Sequence, residues 1–268
     1  MTERKFTAAG PSYDQVKDRL FDQYVNPRFD EASGLDTPAL QAGFAALAGE
    51  DGRMSRLELR SRLFCYVLEN ARVGVDPEDW FADHFDHGGD LMTRHRETWR
   101  REYAEGSLHE SAEILRRGSR TGSFSAELDL GHISPGWCSL LREGVPGILA
   151  AAQTALESAA DPAACEFYSA VIRTYTSFLS LMGRLEAQAR KAAQAYPVFS
   201  GRMEKLAACL AALQKQPPST LYEALQLAYL FHQLIEFEGE LVRSMGSFEL
   251  NFGPFYEADL AAGRITAE

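Results

Sequence analysis

Basic side chains are scarce in this sequence. Lys and Arg number 27 against 38 Asp and Glu, leaving a net charge of -11. A chain of that balance gains no counterion-release energy on a phosphate backbone, which excludes nucleic acid as a partner class. It is equally ill suited to anionic membrane surfaces. Cysteine is sparse and scattered: Cys65, Cys138, Cys165 and Cys209 form no CxxC pair and no other zinc spacing. An even count alone does not make a disulfide framework in a chain of 268 residues. Three of the four lie in apolar, helix-like runs, where a reduced, buried thiol is expected. No apolar run reaches the ~18 residues that would span a membrane. Met1 to Gly10 lacks the apolar stretch of a signal peptide. Internal repeats and low-complexity linkers are also missing. A reducing cytoplasm and one contiguous domain over residues 1–268 are the expectation.

What is present is helical periodicity. Amphipathic stretches are expected over Tyr13 to Tyr24 and Thr37 to Ala48. Ser55 and Glu58 form a capping box ahead of a helix running to Arg72. Asp76-Pro77 has the composition of another helix start. Gly88 to Ser125 is polar and arginine-rich, which suits surface helices and loops. The GHISPGW run from Gly131 to Trp137 reads as a loop, and the helix after it is punctuated by Gly144, Pro146 and Gly147. Asp161-Pro162 opens the longest pattern, which runs to about Tyr196, would span on the order of 50 Å and is ended by Pro197. A shorter helix covers Ser200 to Gln214. Pro217-Pro218 then breaks the chain, and Thr220 with Glu223 caps a helix whose wide apolar stripe predicts burial. Phe248, Leu250 and Phe252 alternate, which predicts a strand.

Several polar clusters suggest chemistry. Asp83, His84, Asp86, His87 and Asp90, with His95 beyond, carry metal-ligating groups, and His84 and His87 could share a helix face. The cluster has no HExxH and precedes Gly88-Gly89, so we read it as a solvated helix end with no metal. GSRTGS, from Gly118 to Ser123, lacks the GK[ST] ending of a phosphate loop and reads as a flexible turn. His232 is placed at a core edge with a satisfied hydrogen bond. Glu236, Glu238 and Glu240 are placed in solvent, although an acidic pair beside a cleft could do acid–base work. His132 sits in a glycine-rich loop of the kind that carries binding residues. Trp137 and Cys138 are expected to pack. From the residues alone the chain is a soluble, acidic, mostly helical domain.

Pro217 to Gly263 adds more. It carries Glu223-Ala224-Leu225-Gln226, Ser244, Gly246, Pro254-Phe255-Tyr256, Asp259-Leu260 and Gly263, followed by Arg264-Ile265-Thr266. This ordered block resembles the glycyl radical enzymes of the pyruvate formate-lyase type. In that family a proline-rich turn precedes an EALQ helix, then S-x-G-R-x-D-Q and P-[YF]-Y-x-x-D-L-x-x-G. Upstream, Gly131-His132, Leu140-Leu141, Gly144 and Gly147 look like the family's G-H loop and following helix. The resemblance implies a mainly α fold of long packed helices, with a little β near the C-terminus. It would be the N-terminal part of an α/β barrel, with the Phe248–Phe252 strand among the first barrel strands. It also implies substrate-binding roles for His132, Ser244 and Gly246.

The departures bear on activity. Ser247 stands where the family has arginine, Glu249-Leu250 replace Asp-Gln, and Leu241-Val242 occupy the His-Ser position of the glycerol-type dehydratases. The family's radical cysteine and glycyl loops match nothing here, and none of the four cysteines lies in the matching context. The chain ends at Thr266-Ala267-Glu268, where the family begins another helix, which reads as a truncation. The resemblance therefore implies a fragment that is inactive alone. No cofactor is bound, and a glycyl radical is installed in the full-length enzyme by a radical SAM activating enzyme. The expected partners are the missing C-terminal half or a complementary subunit, that activase and a small-molecule substrate; homodimerisation stays open. The enzyme would cleave C–C or C–O bonds of a small metabolite by radical chemistry. The alternative is a non-catalytic helical interaction module or a subunit of a split or degenerate enzyme.

Overall fold

The computed structural model describes residues 38–82, 84–86, 109–123, 133–237 and 244–267, with the backbone alone at 84–86 and 236–237. It also describes Tyr13, Asp14, Lys17, Asp18, Phe21, Leu91, Met92, His95 and Gly106. The polypeptide divides into two units, Met1–Ala32 and Ser33–Glu268. In the first unit the five described residues are helical, within the first amphipathic stretch read from the sequence.

The second unit is built around one helix. In chain order its described elements are α1 (Pro38–Ala48), α2 (Arg56–Asn70), β1 (Arg72–Gly74), β2 (His84–Asp86), α3 (His109–Arg120), α4 (Trp137–Ser158), α5 (Pro162–Ala195), a 3-10 turn (Pro197–Phe199), α6 (Ser200–Leu213), α7 (Leu221–Phe237) and α8 (Phe248–Ala261). The expectation of a mainly helical chain holds. Helix α5 begins as its sequence requires: Asp161 Oδ1 accepts from the Ala163 N–H at 3.3 Å, and Pro162 takes the first turn. Ala170, Ser177, Phe178, Leu181, Met182, Leu185, Ala189 and Ala192 recur at helical spacing and are buried. Helices α2, α4 and α6 and strand β1 pack on this one helix. Among the described residues, no helix is long and apolar enough to cross a membrane.

Helix α2 starts at the expected cap, where Ser55 Oγ accepts from the Glu58 N–H at 3.0 Å. Its other end is held by a distant cation. Arg184 of α5 donates through Nη1 to the Ala71 carbonyl at 2.7 Å and through Nη2 to the Leu68 carbonyl. A guanidinium there meets both the free carbonyls and the negative end of the helix dipole.

Helix α4 is two helices joined at a kink. Gly144 adopts φ 65° and ψ 174°, a backbone region that only glycine enters without strain. A Cβ at this position would lie 2.7 Å from Pro217 Cα, so the kink is also the place where α4 meets the Pro217-Pro218 turn.

The structure corrects four expectations. Phe248–Phe252 is not a strand but the start of α8, and none of the described residues 244–267 is in a strand. Phe248 and Phe252 are one helical turn apart with ring centroids at 4.4 Å; Phe252 is buried while Leu250 is 76% exposed, so the alternation does not mark a face. His84–Asp86 is not a helix end but β2, paired antiparallel with β1 in the register Val73↔Phe85. Asp76-Pro77 opens a single turn instead of a helix: Asp76 Oδ1 accepts from Glu78 N–H at 2.8 Å, and the following residues are drawn onto α7. Gly118–Arg120 belong to α3, which closes through Ser123 N–H to the Gly118 carbonyl at 3.0 Å and Gly122 N–H to Ser119 at 3.2 Å. The turn itself is confined to Thr121–Ser123, where it caps the helix.

Candidate functional site

The family-like block maps onto α7 and α8 and the segment before each. Glu223 closes the α7 start from both sides. Its N–H donates to Thr220 Oγ1 at 3.2 Å, while Glu223 Oε2 accepts from the N–H groups of Ser219 at 2.7 Å and Thr220 at 3.2 Å. Asp259, 3% exposed, reaches the same helix end from α8: its Oδ2 accepts from Leu221 N–H at 2.9 Å. Its Oδ1 accepts from Arg264 Nε at 2.7 Å. A carboxylate at a helix N-terminus satisfies a free donor and opposes the dipole. Gln226, fully buried, binds the Ala82 backbone. These motif residues are therefore the joints of the fold.

A second group forms a wall. The stretch Ile133–Trp137 runs beside the Ser244–Ser247 loop. Ser244 donates its N–H to the Ile133 carbonyl at 3.0 Å, and its own carbonyl accepts from Trp137 Nε1 at 2.8 Å. Gly246 N–H donates to Ser244 Oγ at 3.0 Å. Asn251 Nδ2 donates to the Met245 carbonyl at 3.0 Å, and Cys138 Sγ donates to Asn251 Oδ1 at 3.4 Å. Gly246 has φ +66°, and a Cβ there would sit 3.3 Å from Asn251 Nδ2 and 3.5 Å from Trp137 Cδ1. The fold thus brings two of the three expected binding residues, Ser244 and Gly246, against the loop that contains the third. His132 itself, with Gly131, lies outside the described residues; Ile133, its chain neighbour, is on the wall.

Behind this wall a cleft of about 380 Å³ opens between α2, α5 and α7, lined by Leu57, Phe64, Val171, Phe178, Phe231 and Ile133. Phe231 faces both sides, with its ring 5.9 Å from that of Trp137 and 6.3 Å from that of Phe178. Trp137 packs as expected, at 3% exposure, whereas Cys138 is exposed.

The remaining candidates separate. His95 packs edge-on against Phe44 at 6.2 Å between ring centroids. Asp83, His87, Asp90, Glu238, Glu240, Leu241 and Val242 lie outside the described residues, as do the side chains of His84, Asp86 and Glu236. Among the described residues no group of three His, Cys, Asp or Glu is placed to hold a metal ion. His232 is half-buried. The departures Ser247, Glu249 and Leu250 are all exposed on the α8 start. Sequence reasoning did not single out Asn251 or the Trp137 indole N–H. Their polar role inside an apolar neighbourhood was the available signal.

Comparison with curated protein sequences returned no match. The sequence matches the family model "Pyruvate formate lyase-like" over residues 90–268. Solved structures similar to it include the following three. One, a glycyl radical enzyme from Archaeoglobus fulgidus, is 17% identical with a TM-score of 0.68, over 93% of this chain and 38% of that one. Another, from work on 1,2-propanediol dehydration in Roseburia inulinivorans, is 16% identical with a TM-score of 0.72, over 96% and 38%. The hydroxyproline dehydratase of Clostridioides difficile, with trans-4-hydroxy-L-proline bound, is 14% identical with a TM-score of 0.71, over 97% and 38%. The chain spans 38% of the length of these structures. A family match over most of the sequence and a shared fold lead to one conclusion: this chain belongs to the pyruvate formate lyase-like family and has the fold of the N-terminal portion of a glycyl radical enzyme.

Proposed function

We propose that this chain supplies the helical casing and one pocket wall of a glycyl radical lyase or dehydratase, and that it does no chemistry alone. The observation that supports the proposal is the meeting of Ile133–Trp137 with Ser244–Gly246, because it sets two of the three residues assigned to substrate contact, Ser244 and Gly246, beside the chain neighbour of the third. The reaction is radical cleavage of a C–O or C–C bond in a small metabolite, in anaerobic metabolism. Small hydroxylated compounds are the substrate class, as the propanediol and hydroxyproline dehydratases suggest. His132 and Ser244 would contact hydroxyl groups, and Gly246 would let the substrate approach the backbone. The radical cysteine and glycyl residue come from the remainder of the fold, in the same polypeptide or a complementary subunit. A radical SAM activase installs the radical. Four free cysteines, with Cys65 and Cys209 buried, fit a reducing cytoplasm.

Helix α8 supports the partner. Phe248 is 50% and Leu250 76% exposed, and Tyr256 and Leu260 lie on its surface too. Several large apolar side chains exposed on one helix favour a covering partner. The same exposed side chains favour a second reading, a subunit of a split enzyme or a non-catalytic interaction module.

The test is anaerobic co-expression with a radical SAM activase, with and without a polypeptide carrying the remaining fold. We expect neither a glycyl radical signal in electron paramagnetic resonance nor turnover from the 268 residues alone, and both once the remainder is supplied. Turnover by the isolated chain defeats the proposal. Formation of a stable complex without any radical selects the interaction module.

A further inference from the structure

We infer that Asn251 is a positioning residue for the Ser244–Gly246 wall, acting as a latch on the peptide plane between Met245 and Gly246. The inference rests on the reading of that wall as substrate-facing. The plane is gripped at both ends. Its carbonyl, on Met245, accepts from Asn251 Nδ2 at 3.0 Å, and its N–H, on Gly246, donates to Ser244 Oγ at 3.0 Å. Ser244 is anchored separately, by the Ile133 carbonyl and the Trp137 indole. The Met245–Gly246 plane borders a glycine at φ +66°.

A plane next to glycine meets little steric resistance to flipping. The flip would carry the Gly246 N–H away from Ser244 Oγ, and the hydroxyl would turn to another acceptor or donor. The orientation of the Ser244 hydroxyl is therefore set at one remove by Asn251. Its side chain, 9% exposed, is braced in turn by the Cys138 thiol on its Oδ1 and by its place in the first turn of α8, where its own N–H donates to Ser247 at 3.1 Å. Gly246 also makes room for it: a Cβ there would press on Nδ2 at 3.3 Å.

The test uses hydrogen exchange at the Gly246 amide in the 268-residue chain. Asn251→Asp keeps the shape and the oxygen that Cys138 addresses but loses the Nδ2 donor. We expect Gly246 to exchange at least about tenfold faster, while amides in the middle of α5 are unchanged. Asn251→Ala, which adds no charge, should give the same local effect. Cys138→Ala, which removes only the brace, should leave Gly246 within about twofold. Unchanged Gly246 exchange in both Asn251 variants overturns the inference, and so does a rise shared equally by α5, which would mean a merely structural role. In the complete enzyme Asn251→Asp should raise KM more than it lowers kcat. Should Ser244→Ala leave KM unchanged, the substrate-facing reading falls, while the exchange result still decides the latch.

Discussion

The side-chain amide of Gln226 pairs with both backbone groups of Ala82, accepting from its N–H at 2.8 Å and donating to its carbonyl at 3.0 Å. Both residues are fully buried, and 144 positions separate them in the chain. One side chain thus does what a rung of a sheet ladder does, tying the segment before β2 to helix α7.

Gln226→Leu should retain the volume and remove the pairing. Two backbone groups would then be buried without a partner, which costs about 2–6 kcal/mol. Urea unfolding followed by circular dichroism measures the loss. A change below about 0.5 kcal/mol would mean that water or a neighbour replaces the amide.

Gly144→Ala should destabilise through backbone and contact together. The φ/ψ pair at the kink costs a side-chain-bearing residue about 1–3 kcal/mol, and the added methyl meets Pro217 Cα at 2.7 Å. Gly147→Ala, at a regular helical position, is the control and should lose far less. Thermal melts of the two variants separate the effects.

Asp259→Asn should weaken the α7–α8 joint by about 1–3 kcal/mol, the worth of hydrogen bonds made by a charged group. It removes the ion pair to Arg264 and weakens the cap on Leu221. A double-mutant cycle with Arg264→Met isolates the ion-pair share. Because the Arg264 side chain is 48% exposed, that share should be small and should shrink in salt.

The thiols should react in an order set by burial. Burial pushes the Cys65 thiol up, and burial followed by the Glu223 charge pushes Cys209 up as well. Exposed Cys138 should be alkylated first in the native chain, Cys65 and Cys209 only on unfolding. The pH consequence has a definite sign. Unfolded thiols release their protons near pH 8.5, and the buried ones hold theirs to higher pH. Above pH ~8.5 the unfolded state binds fewer protons, so stability should fall as pH rises. Urea midpoints at pH 7.5 and 9.5 check this; a higher midpoint at the alkaline pH contradicts it.

The legible part of the fold was the part fixed by local chemistry. The Ser55, Asp161 and Thr220/Glu223 caps act within a few residues, and each opens a helix at its expected place. The strand expected over Phe248–Phe252 failed because three alternating apolar residues fit a helix turn equally well. Asp76-Pro77 failed because Tyr222 and Gln226 hold Trp80 and Ala82, a competition 142 and 144 residues away. Ser244 and Gly246 were assigned through resemblance, and the fold sets them beside Ile133 and Trp137. Asn251 escaped because its partners, the Met245 carbonyl and the Cys138 thiol, meet only in three dimensions.

The grip of Arg184 on the end of α2 has a consequence for anyone trimming this gene. Family likeness becomes recognisable at residue 90, yet Arg184, Gln226 and Tyr222 all bind backbone that precedes it, at Leu68, Ala71, Ala82 and Trp80. The border of recognisable ancestry is not a border of folding. A clone begun at residue 90 would strip those partners from buried groups, and it should be recovered as insoluble aggregate.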